Sequence, residues 1–579
     1  MPPSSREPAE TVWTRGGGLD GKVDPVLFCP EGGGRKGNSP ENSGPVCGGL
    51  LPTVFPVLKF YCSRTYLFRL TSGRDRDNVD RSACFPRAFF SPRNRSVGTG
   101  MSAGIDSAVD AATAKTSAVT EQLAPRDAVF YYDETDRHPS TIVAVYVFDC
   151  RGAEPLDTAA AVCWAQERVG LAPLFRRRLR RVPFNLDLPY WVPDPAFDIA
   201  GHVLVEPAGA DWDTVRRRLG EITVARVDLG RPPWMFHFFD RVHGVPGAPG
   251  PTTILALKFH HSAGDGVATR ELEAQLFSGR TAPAVPGGAP WRPAIVGIRA
   301  ALLFPYRLAC FVTGLRRSAA AGTEVRARAA AGLLGEPLPI RPATRFNRPA
   351  GPGRTVDQVT LALSEVKAVC ARCPERTTVN DVMLTVVSGA LAAYLGEKQE
   401  TPPDSLAAMV PISLRGIAEW DSANRLSQMA VDLHTGVTDP PARLAAIRES
   451  VRRERRRNID PAVLRYAARV ETSPAWLLRL AGWARAQRSF ADVDSIPLSN
   501  TTISNVPPTG EGLAFRGAPL LRAFGVLPVL DGDGLRHLVS SQGDELVLTF
   551  QVDSAMMPDA ERYRELLMQS FRDLADALG

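Results

Sequence analysis

The stretch LKFHHSAGDG, residues 257–266, contains two adjacent histidines, His260 and His261, followed by an aspartate, Asp265, between two glycines. Residues 252–257 are mostly β-branched or apolar and predict a buried strand. Residues 267–277 carry apolar side chains at helical spacing and predict a helix. The histidines therefore stand at a strand-to-helix junction, where a rigid scaffold can present side chains to a cleft.

The chemistry of this junction has three interpretations. A neutral histidine can act as a general base near neutral pH, with Asp265 fixing the backbone or orienting the ring. The plainer alternative is a buried histidine pair beside an ordinary Asp–Gly turn. We would prefer that alternative if only one histidine were present. A metal site fits less well, because adjacent residues on a strand point to opposite faces and no third ligand is evident. The combination of two histidines, a spaced aspartate and flanking glycines favours a functional site.

Length and composition restrict the class of protein. A chain of 579 residues is too long for one ordinary domain, and we expect two cores with additional segments. Its 44% hydrophobic and 22% charged residues are typical of a soluble globular protein. Most of the net charge of +6 belongs to residues 1–100, so nucleic-acid binding is not indicated. We expect no apolar run long enough to cross a bilayer.

The first hundred residues differ from the rest of the chain. They are rich in proline, glycine, serine and arginine, and no hydrophobic periodicity persists in them. Such a segment buries too little apolar surface to offset the entropy of ordering it. Met101 begins a compact polar stretch, and no methionine lies between Met1 and Met101. We expect residues 1–120 to be a disordered leader, or Met101 to be the natural start.

The nine cysteines form no recognisable framework. Cys370 and Cys373 make a C-x-x-C pair, but no second pair accompanies them, so a zinc site is not indicated. No disulfide framework is implied, which fits a reducing compartment. We therefore expect a cytoplasmic protein.

Residues 121–278 predict a first α/β domain that ends just after the HHxxxDG motif. The expected elements are strands over residues 140–148, 234–239 and 254–259, of which the last two should pair, and helices over residues 156–168 and 214–224. The basic run LFRRRLRR at residues 174–181 suggests a phosphate or membrane contact in isolation, but we prefer a solvated helix face. Trp234 could belong either to the core or to the wall of a cleft.

Residues 279–352 are rich in proline, glycine and alanine and predict a long crossover between two domains. Residues 295–315 form an amphipathic patch within it, with arginines among the apolar side chains. Such a patch could rest on a membrane surface. Burial of its apolar face against protein is the more common outcome.

Residues 353–579 predict a second α/β domain. Its expected elements are strands over residues 355–363, 407–415, 502–507, 525–530, 535–540 and 545–552, with helices over residues 364–373, 382–395, 461–488 and 558–578. Asn380 or Asp381 is suited to cap the second of these helices, and Pro474 should divide the third. The fold class is therefore α/β (α+β), with two similar halves joined by the crossover.

Several motifs, taken in order, resemble the bacterial wax ester synthase/diacylglycerol acyltransferase family of the CoA-dependent acyltransferase superfamily. The likeness covers residues 120–579. It rests on LAPRDA near 123–128, PYWV near 189–192, RPPW at 231–234, HHSAGDG at 260–266, ND at 380–381, PISLR at 411–415, NR at 424–425 and SNVP at 504–507. One HHxxxDG motif is moderately specific, whereas the whole series is strong. Pro233 replaces a leucine of the family pattern, and Ala263 and Gly264 are smaller than usual, which bears on acceptor shape more than on reaction type.

The resemblance implies two chloramphenicol-acetyltransferase-like domains with an active-site tunnel at their interface. Acyl-CoA would enter from one side as co-substrate, and a diacylglycerol or long-chain alcohol from the other, with no further cofactor and no metal. His261 would be the general base. Asp265 would hold the loop through an arginine or a backbone amide. Asn380 would donate a hydrogen bond to the oxyanion, although a helix-capping role is an equal alternative.

Further residues are expected at the substrate. His260 and Gly266 should shape the turn beside it, and Trp234 and Asp381 should lie close to it. The amphipathic connection also makes peripheral contact with the inner face of the membrane, or with lipid droplets, a reasonable expectation.

Two other classes of protein share some of these features. A condensation-type acyltransferase carries HHxxxDG but takes its acyl group from a carrier protein, and this chain has no recognisable carrier domain. A lipid-binding protein could retain the fold without catalysis, but intact His261, Asp265 and Asn380 argue against it. The plant-type alcohol acyltransferases are disfavoured because residues 523–527, AFGVL, do not match their DFGWG signature.

Overall fold

A computed structural model describes residues 121–282, 291–496 and 499–579. The expectations for residues 1–120, including a natural start at Met101, lie outside the described residues. In chain order, the strands are β1 (Glu121–Gln122), β2 (Thr141–Asp149), β3 (Arg177–Arg180), β4 (Tyr190–Pro193), β5 (Val203–Val205), β6 (Trp234–Val242), β7 (Thr252–His260), β8 (Arg341–Pro342), β9 (Arg354–Ala362), β10 (Ala407–Ser413), β11 (Leu426–Asp432), β12 (Ser495–Ile496), β13 (Thr501–Asn505), β14 (Ala514–Phe515), β15 (Ala518–Val526), β16 (Leu535–Gln542) and β17 (Glu545–Asp553).

Helices cover the faces of the sheets and connect their strands. In chain order, the α-helices are α1 (Pro125–Asp133), α2 (Thr158–Gln166), α3 (Trp212–Val224), α4 (Gly266–Leu276), α5 (Pro293–Ala330), α6 (Leu363–Arg372), α7 (Val379–Glu397), α8 (Pro440–Asn458), α9 (Pro461–Ala467), α10 (Ala475–Ala486) and α11 (Ala560–Ala577). Helix α8 is not among the predicted elements, although Asp439 caps it and Pro440 begins it, which is a common start signal.

The first sheet has the strand order β14-β15-β2-β7-β6-β5 and carries the HHxxxDG motif at the end of β7. Every residue of β7 is buried, because the strand is central and both of its faces are covered. Leu255 and Leu257 face one core cluster, whereas Ile254 and Ala256 face another, as the two-residue period of a strand requires. The predicted pairing of β6 with β7 is confirmed, and the two strands are antiparallel.

The second sheet has the order β11-β10-β13-β16-β17-β9 and covers the core of the second half. The mixed α/β architecture with two sheets is therefore as expected. One late strand departs from the prediction, because β15 joins the first sheet beside β2 instead of completing the second. Phe524 and Val526 of β15 pack with Val145 in the core that both sheets share. A strand that is buried on both faces does not show in its own sequence which sheet it joins.

The basic run does not form the helix face that we expected. Residues 177–180 form β3, which pairs with β4 in a ribbon that also includes β1. In a strand, alternate side chains point to opposite sides, so Leu179 is buried while Arg178 and Arg180 lie on one side of the ribbon. Only one residue of the run at 177–180 is apolar, which is too few for a sequence pattern to separate a strand from a helix.

The start of α7 also corrects a prediction. Thr378 is the N-cap, and its side chain accepts a hydrogen bond from the Asp381 backbone N–H, while Asp381 accepts one from Thr378 N–H at 2.8 Å. This reciprocal pair satisfies two otherwise unpaired N–H groups. Asn380 and Asp381 are therefore not the N-cap. By contrast, the predicted break at Pro474 is confirmed, since α10 begins directly after it.

The crossover contains a far longer helix than the predicted patch. Helix α5 has 38 residues, and an 18-residue window of it has a mean hydropathy of 1.7 with only 11% of that window buried. Helix α7 contains a similar window, of mean hydropathy 1.4, but 72% of it is buried, as in a core helix. The expectation that no apolar run could span a bilayer is therefore wrong by length and composition. The C-terminal part of α5 packs on protein, where Ser318 and Gly322 approach Tyr466.

Candidate active site

The HHxxxDG residues form a tight connection between β7 and α4. The backbone N–H of His260 donates to the Pro233 carbonyl at 3.0 Å, and that of His261 donates to Ser140 at 2.8 Å. Residues 261–263 then make a short 3-10 turn, and Gly266 begins α4. The turn is thus held in place by the backbone of neighbouring segments of the first half.

Asp265 joins this turn to the second half of the chain. Its carboxylate caps α4 by accepting from Val267 and Ala268 N–H at 3.1 Å. The Arg415 guanidinium donates to both carboxylate oxygens, at 2.8 and 2.9 Å, and the Arg425 N–H donates at 3.1 Å. Burial alone would raise the pKa of Asp265, but these hydrogen bonds and the Arg415 charge lower it. Asp265 is therefore a charged structural anchor.

Asp127 provides a second junction between the halves. It lies in α1 and accepts hydrogen bonds from the Ser422 hydroxyl at 2.7 Å, from Ala423 N–H at 2.9 Å, and from the Asn424 side chain at 2.8 Å. The same Asn424 amide donates to the His261 carbonyl at 2.9 Å. Asp127 thus positions the loop of the second half that holds the backbone of His261.

The His261 ring lies in a partly exposed position between these two junctions. It stacks on Phe130 of α1, with the ring centroids 4.1 Å apart and the planes at 6°. Burial lowers the pKa of His261 from its ordinary value of 6.5, and its own carbonyl, the Asp265 charge and Asn424 oppose this only in part. The imidazole is therefore neutral near neutral pH, the form that can accept a proton.

His260 points away from this position into the protein. Its side chain is fully buried, its Nδ1 lies 2.7 Å from the Ser262 hydroxyl, and its Nε2 lies 3.6 Å from Glu134 Oε1. Burial lowers the pKa of His260 to about 3, so the ring stays neutral. Glu134 is in turn paired with Arg226 at 3.0 Å. His260 therefore supports the turn from inside the protein.

Gly266 allows the turn to approach the SNVP segment. A Cβ atom at this position would lie 2.9 Å from Cγ1 of Val506, closer than side chains pack. The glycine is thus needed for a close contact between the start of α4 and the chain after β13, rather than for an unusual backbone angle. This contact is a further link between the two halves.

Three predicted residues lie elsewhere. Trp234 is completely buried, and its Nε1 donates to the Phe175 carbonyl at 3.1 Å, which is the placement of a core residue rather than of a cleft wall. Asp381 is buried in the capping box of α7. Asn380 is half-buried in the first turn of α7, and within the described residues its amide has no hydrogen-bond partner. Among the described residues, none of the three forms a hydrogen bond or ring contact with His261.

A cavity of about 960 Å³ adjoins the turn. Ser262, Ala263 and Gly264 form part of its wall, with Ser422 and Ala423 of the second half beside them. Much of the remaining wall is apolar and consists of Leu123, Leu171, Leu174, Leu186, Leu188, Trp191, Phe259, Leu272, Phe304 and Leu308. The cluster of apolar side chains gives one part of this wall a surface suited to an aliphatic chain, while charged and polar side chains line the rest.

Sequence reasoning assigned no role to Asp127, Arg415 or Asn424. All three stand in the quoted motifs LAPRDA, PISLR and NR, so their motif membership was the available signal. Their roles depend on contacts between residues 150 to 297 positions apart. Such distant pairs cannot be matched from one sequence.

Because Asp265 joins the two halves, its substitution should cause a large loss of stability. We expect Asp265→Ala to reduce the free energy of unfolding by about 2–4 kcal/mol, because it removes a helix cap and leaves Arg415 unpaired. Urea unfolding followed by circular dichroism measures this change. Since the pKa of Asp265 is lowered, the loss should be complete above about pH 4 and should shrink as pH falls below that value.

Asp211 provides a matched control, because it caps α3 by accepting from Thr214 N–H but forms no ion pair among the described residues. Asp211→Ala should cost only about 1 kcal/mol, the value of a cap alone. Equal losses for the two variants would contradict the anchoring role of Asp265.

The catalytic-domain model of the wax ester synthase/diacylglycerol acyltransferase family matches residues 123–383, and the C-terminal-domain model of that family matches residues 422–575. The structure is similar to a wax ester synthase/diacylglycerol acyltransferase from Marinobacter aquaeolei VT8, with a TM-score of 0.53 and 21% identity over 79% of this chain and 100% of that one. It also resembles trichothecene 15-O-acetyltransferase from Fusarium sporotrichioides, with a TM-score of 0.50 and 12% identity over 79% and 96% of the two chains. These likenesses confirm the expected acyltransferase fold.

Two relatives from Mycobacterium tuberculosis (strain ATCC 25618 / H37Rv) have names that assign them provisionally to the diacylglycerol O-acyltransferases. One is 28% identical over 458 residues, covering 76% of this chain and 88% of the relative. The other is 29% identical over 482 residues, covering 79% of this chain and 100% of the relative. Both family models match in sequence order and together span the described halves. The chain is therefore an acyltransferase that belongs to the wax ester synthase/diacylglycerol acyltransferase family.

Proposed function

We propose that this protein transfers a fatty acyl group from acyl-CoA to the hydroxyl of a diacylglycerol or a long-chain alcohol, with His261 as the general base. The observation that carries the proposal is a neutral, partly exposed imidazole in a turn whose residues 262–264 line the cavity and whose backbone is held by two junctions between the halves. The names of the relatives support an acyl acceptor of the diacylglycerol class. The apolar walls suit a fatty chain of either acceptor.

A general base next to an alcohol and a thioester can catalyse transfer of the acyl group from the thioester to the alcohol. The imidazole of His261 accepts the proton of the acceptor hydroxyl as that oxygen attacks the thioester carbonyl. The tetrahedral intermediate collapses by breaking the carbon–sulfur bond, and the imidazolium returns the proton to the CoA thiolate. The acyl group passes directly to the acceptor, so no acyl-enzyme is required.

The oxyanion of the intermediate needs a hydrogen-bond donor. We retain Asn380 as the proposed donor, because its amide has no hydrogen-bond partner among the described residues and is free to bind. The Asn424 amide is less suited, since both of its observed hydrogen bonds already go to Asp127 and the His261 carbonyl. Asn424 is instead a positioning residue.

The assay that tests the function combines palmitoyl-CoA with dipalmitoylglycerol or hexadecanol and follows CoA release. Wild type should release CoA only with an acceptor, and His261→Ala should lower the rate by about 10²–10⁴-fold with an unchanged melting temperature, because the proton acceptor is lost. Exposed His243 supplies the control, and His243→Ala should keep full activity. An active, folded His261→Ala variant would overturn the base assignment, and CoA release without an acceptor would indicate hydrolysis.

The two acceptors, tested in parallel, decide whether the enzyme prefers diacylglycerol or a long-chain alcohol. Asn380→Ala in the same assay tests the oxyanion donor.

The pH dependence of this activity provides an independent test of the base. Because the pKa of His261 is lowered, the base should remain unprotonated at pH 6.5, and kcat/KM should fall only as the pH drops through a value below that. Asp265 opposes the lowering, so Asp265→Asn should move the acid limb to still lower pH. An acid limb centred above pH 6.5, or one that Asp265→Asn moves upward, would contradict the assignment.

We further propose that the protein works in the cytoplasm at a membrane or lipid-droplet surface, attached through α5. Exposed apolar side chains recur along one stripe of its N-terminal part, at Ile295, Ile298, Leu302 and Tyr306. Arg299, Arg316 and Arg317 are also exposed on α5, which complements an anionic lipid surface. Both a fatty acyl donor and its acceptor concentrate at such a surface.

Vesicle binding tests this attachment. Wild type should co-sediment with vesicles that contain phosphatidylglycerol, less so at high salt, because the cationic contribution is screened. Leu302, which is 77% exposed, should contribute by apolar burial, so Leu302→Glu should weaken binding about tenfold or more. Leu333, 71% exposed but beyond the end of α5, is the matched control. Equal binding of Leu302→Glu and Leu333→Glu would contradict the proposal.

A further inference from the structure

A second cavity, of about 1620 Å³, is lined by residues at the C-terminal end of α1, whereas the apolar cavity is lined by residues at its N-terminal end. The walls of this second cavity come from the β3–β4 ribbon, the loop at residues 226–230, the end of α1 and one face of α10. Six arginines line it, which are Arg176, Arg178, Arg180, Arg181, Arg226 and Arg479. We call it the arginine cavity. Only three carboxylates, those of Glu134, Asp194 and Asp228, share its wall, so positive charge is in excess.

Most of these arginines have no acidic partner. Arg178 pairs with Asp194 at 3.0 Å and Arg226 with Glu134 at 3.0 Å. No carboxylate of the described chain forms an ion pair with the other four, which are Arg176, Arg180, Arg181 and Arg479. Uncompensated like charges in one concave site repel each other, and a bound anion would relieve that repulsion.

Aromatic rings accompany the arginines. Tyr131, Trp291 and Trp483 lie on the wall of the same cavity, and Trp483 is 61% exposed. A planar base stacks on such rings, while guanidinium groups bind phosphate oxygens in pairs of parallel hydrogen bonds. The combination suits a ligand that carries both a purine and several phosphates.

The wall of the apolar cavity carries more acidic than basic side chains. Its wall includes two arginines, Arg177 and Arg307, but six carboxylates, those of Glu121, Asp127, Asp187, Glu271, Asp421 and Glu471. Three of these carboxylates are paired with arginines, Glu121 with Arg177, Asp187 with Arg307 and Glu471 with Arg126. The remaining acidic charge disfavours a polyanion but not an uncharged lipid alcohol. Electrostatics therefore distinguishes the two cavities by the charge of the substrate that each can hold.

The arginine cavity also reaches the reactive turn. Glu134 on its wall lies 3.6 Å from His260, and Phe130, one helical turn earlier on α1, stacks on His261. Tyr131 of the arginine cavity and Asp127 of the apolar cavity are four positions apart on α1, which is about 6 Å along the helix axis. The extended pantetheine arm of CoA can span that distance, so a nucleotide bound among the arginines leaves the thioester near His261.

We propose that the arginine cavity binds the adenosine 3′,5′-bisphosphate end of acyl-CoA, which then presents its thioester around α1, while the acceptor occupies the apolar cavity. This assignment rests on the proposed acyl-CoA-dependent function. It also explains why basic side chains recur through residues 176–181, since β3 directs alternate arginines toward the cavity.

The test uses Arg180→Ala and Arg479→Ala, which remove cations from opposite walls without touching the reactive turn. Each should raise KM for palmitoyl-CoA roughly tenfold, the value of one charge-assisted hydrogen bond, and leave kcat and KM for the acceptor within about twofold. Arg217→Ala is the matched control, because Arg217 is an exposed arginine of α3 outside the cavity. A KM for palmitoyl-CoA equal to that of Arg217→Ala in both variants would overturn the proposal.

A truncated donor separates nucleotide binding from a general structural effect. With palmitoyl-pantetheine, which lacks the nucleotide, both variants should match wild type, and a tenfold defect that persists with this donor would overturn the proposal. Adenosine 3′,5′-bisphosphate should compete with palmitoyl-CoA and not with the acceptor. Loss of binding to phosphatidylglycerol vesicles at an unchanged KM for palmitoyl-CoA would instead assign the cavity to lipid headgroups, and would also overturn it.

A direct measurement of CoA binding tests this inference separately from the proposed function. Calorimetric titration of wild type and Arg180→Ala with CoA requires no turnover. Tight binding to wild type, weakened about tenfold in the variant, supports the site even if the acyl acceptor has been wrongly assigned. No CoA binding to a wild type that still transfers acyl groups from palmitoyl-pantetheine overturns the site while leaving the reaction intact.

Discussion

Both side-chain oxygens of Asp265 are occupied, and the arrangement of the reactive turn depends on that carboxylate. It caps α4, receives the two-pronged Arg415 guanidinium and accepts the Arg425 N–H. A buried charge is costly unless its hydrogen-bonding capacity is filled, and here the donors come from both halves of the chain. The turn is therefore complete only when the halves are docked, which links folding of the whole protein to the position of one histidine.

His261 is held mainly through its backbone. Ser140 fixes its N–H, Asn424 fixes its carbonyl, and the ring stacks on Phe130. In the serine-protease arrangement, by contrast, a carboxylate bonds directly to the imidazole and stabilises its charged form. Here the nearest anchoring carboxylates, Asp127 and Asp265, act on the loops instead. The imidazole thus stays neutral, which suits a base that must be ready before substrate arrives.

Some of these structural features could be predicted from the local sequence, and others could not. The apolar run before His260 predicted a central strand correctly, and Pro474 marked a real helix boundary. The partners of Asp265 and Asp127 escaped prediction, because contacts across 150 or more residues leave no local pattern. The arginine run was assigned to a helix for a similar reason, since the cavity that explains its charge is built from distant segments. Trp234 lies in the core and Asp381 in a helix cap, placements that sequence alone could not distinguish from substrate contact.

The strand β15 has a consequence for how the protein is made. Because it lies between β14 and β2, the first sheet is incomplete until residue 526 has been synthesised, long after the HHxxxDG motif has left the ribosome. Until then one edge of β2 presents unpaired backbone groups, the kind of edge on which strands from other chains can assemble. Closure of that edge pairs residues 372 to 383 positions apart, a slow type of event in folding. The first half therefore cannot complete its sheet before residues 518–526 are present. A nascent chain that stopped between the halves would expose the unpaired edge of β2, which promotes aggregation.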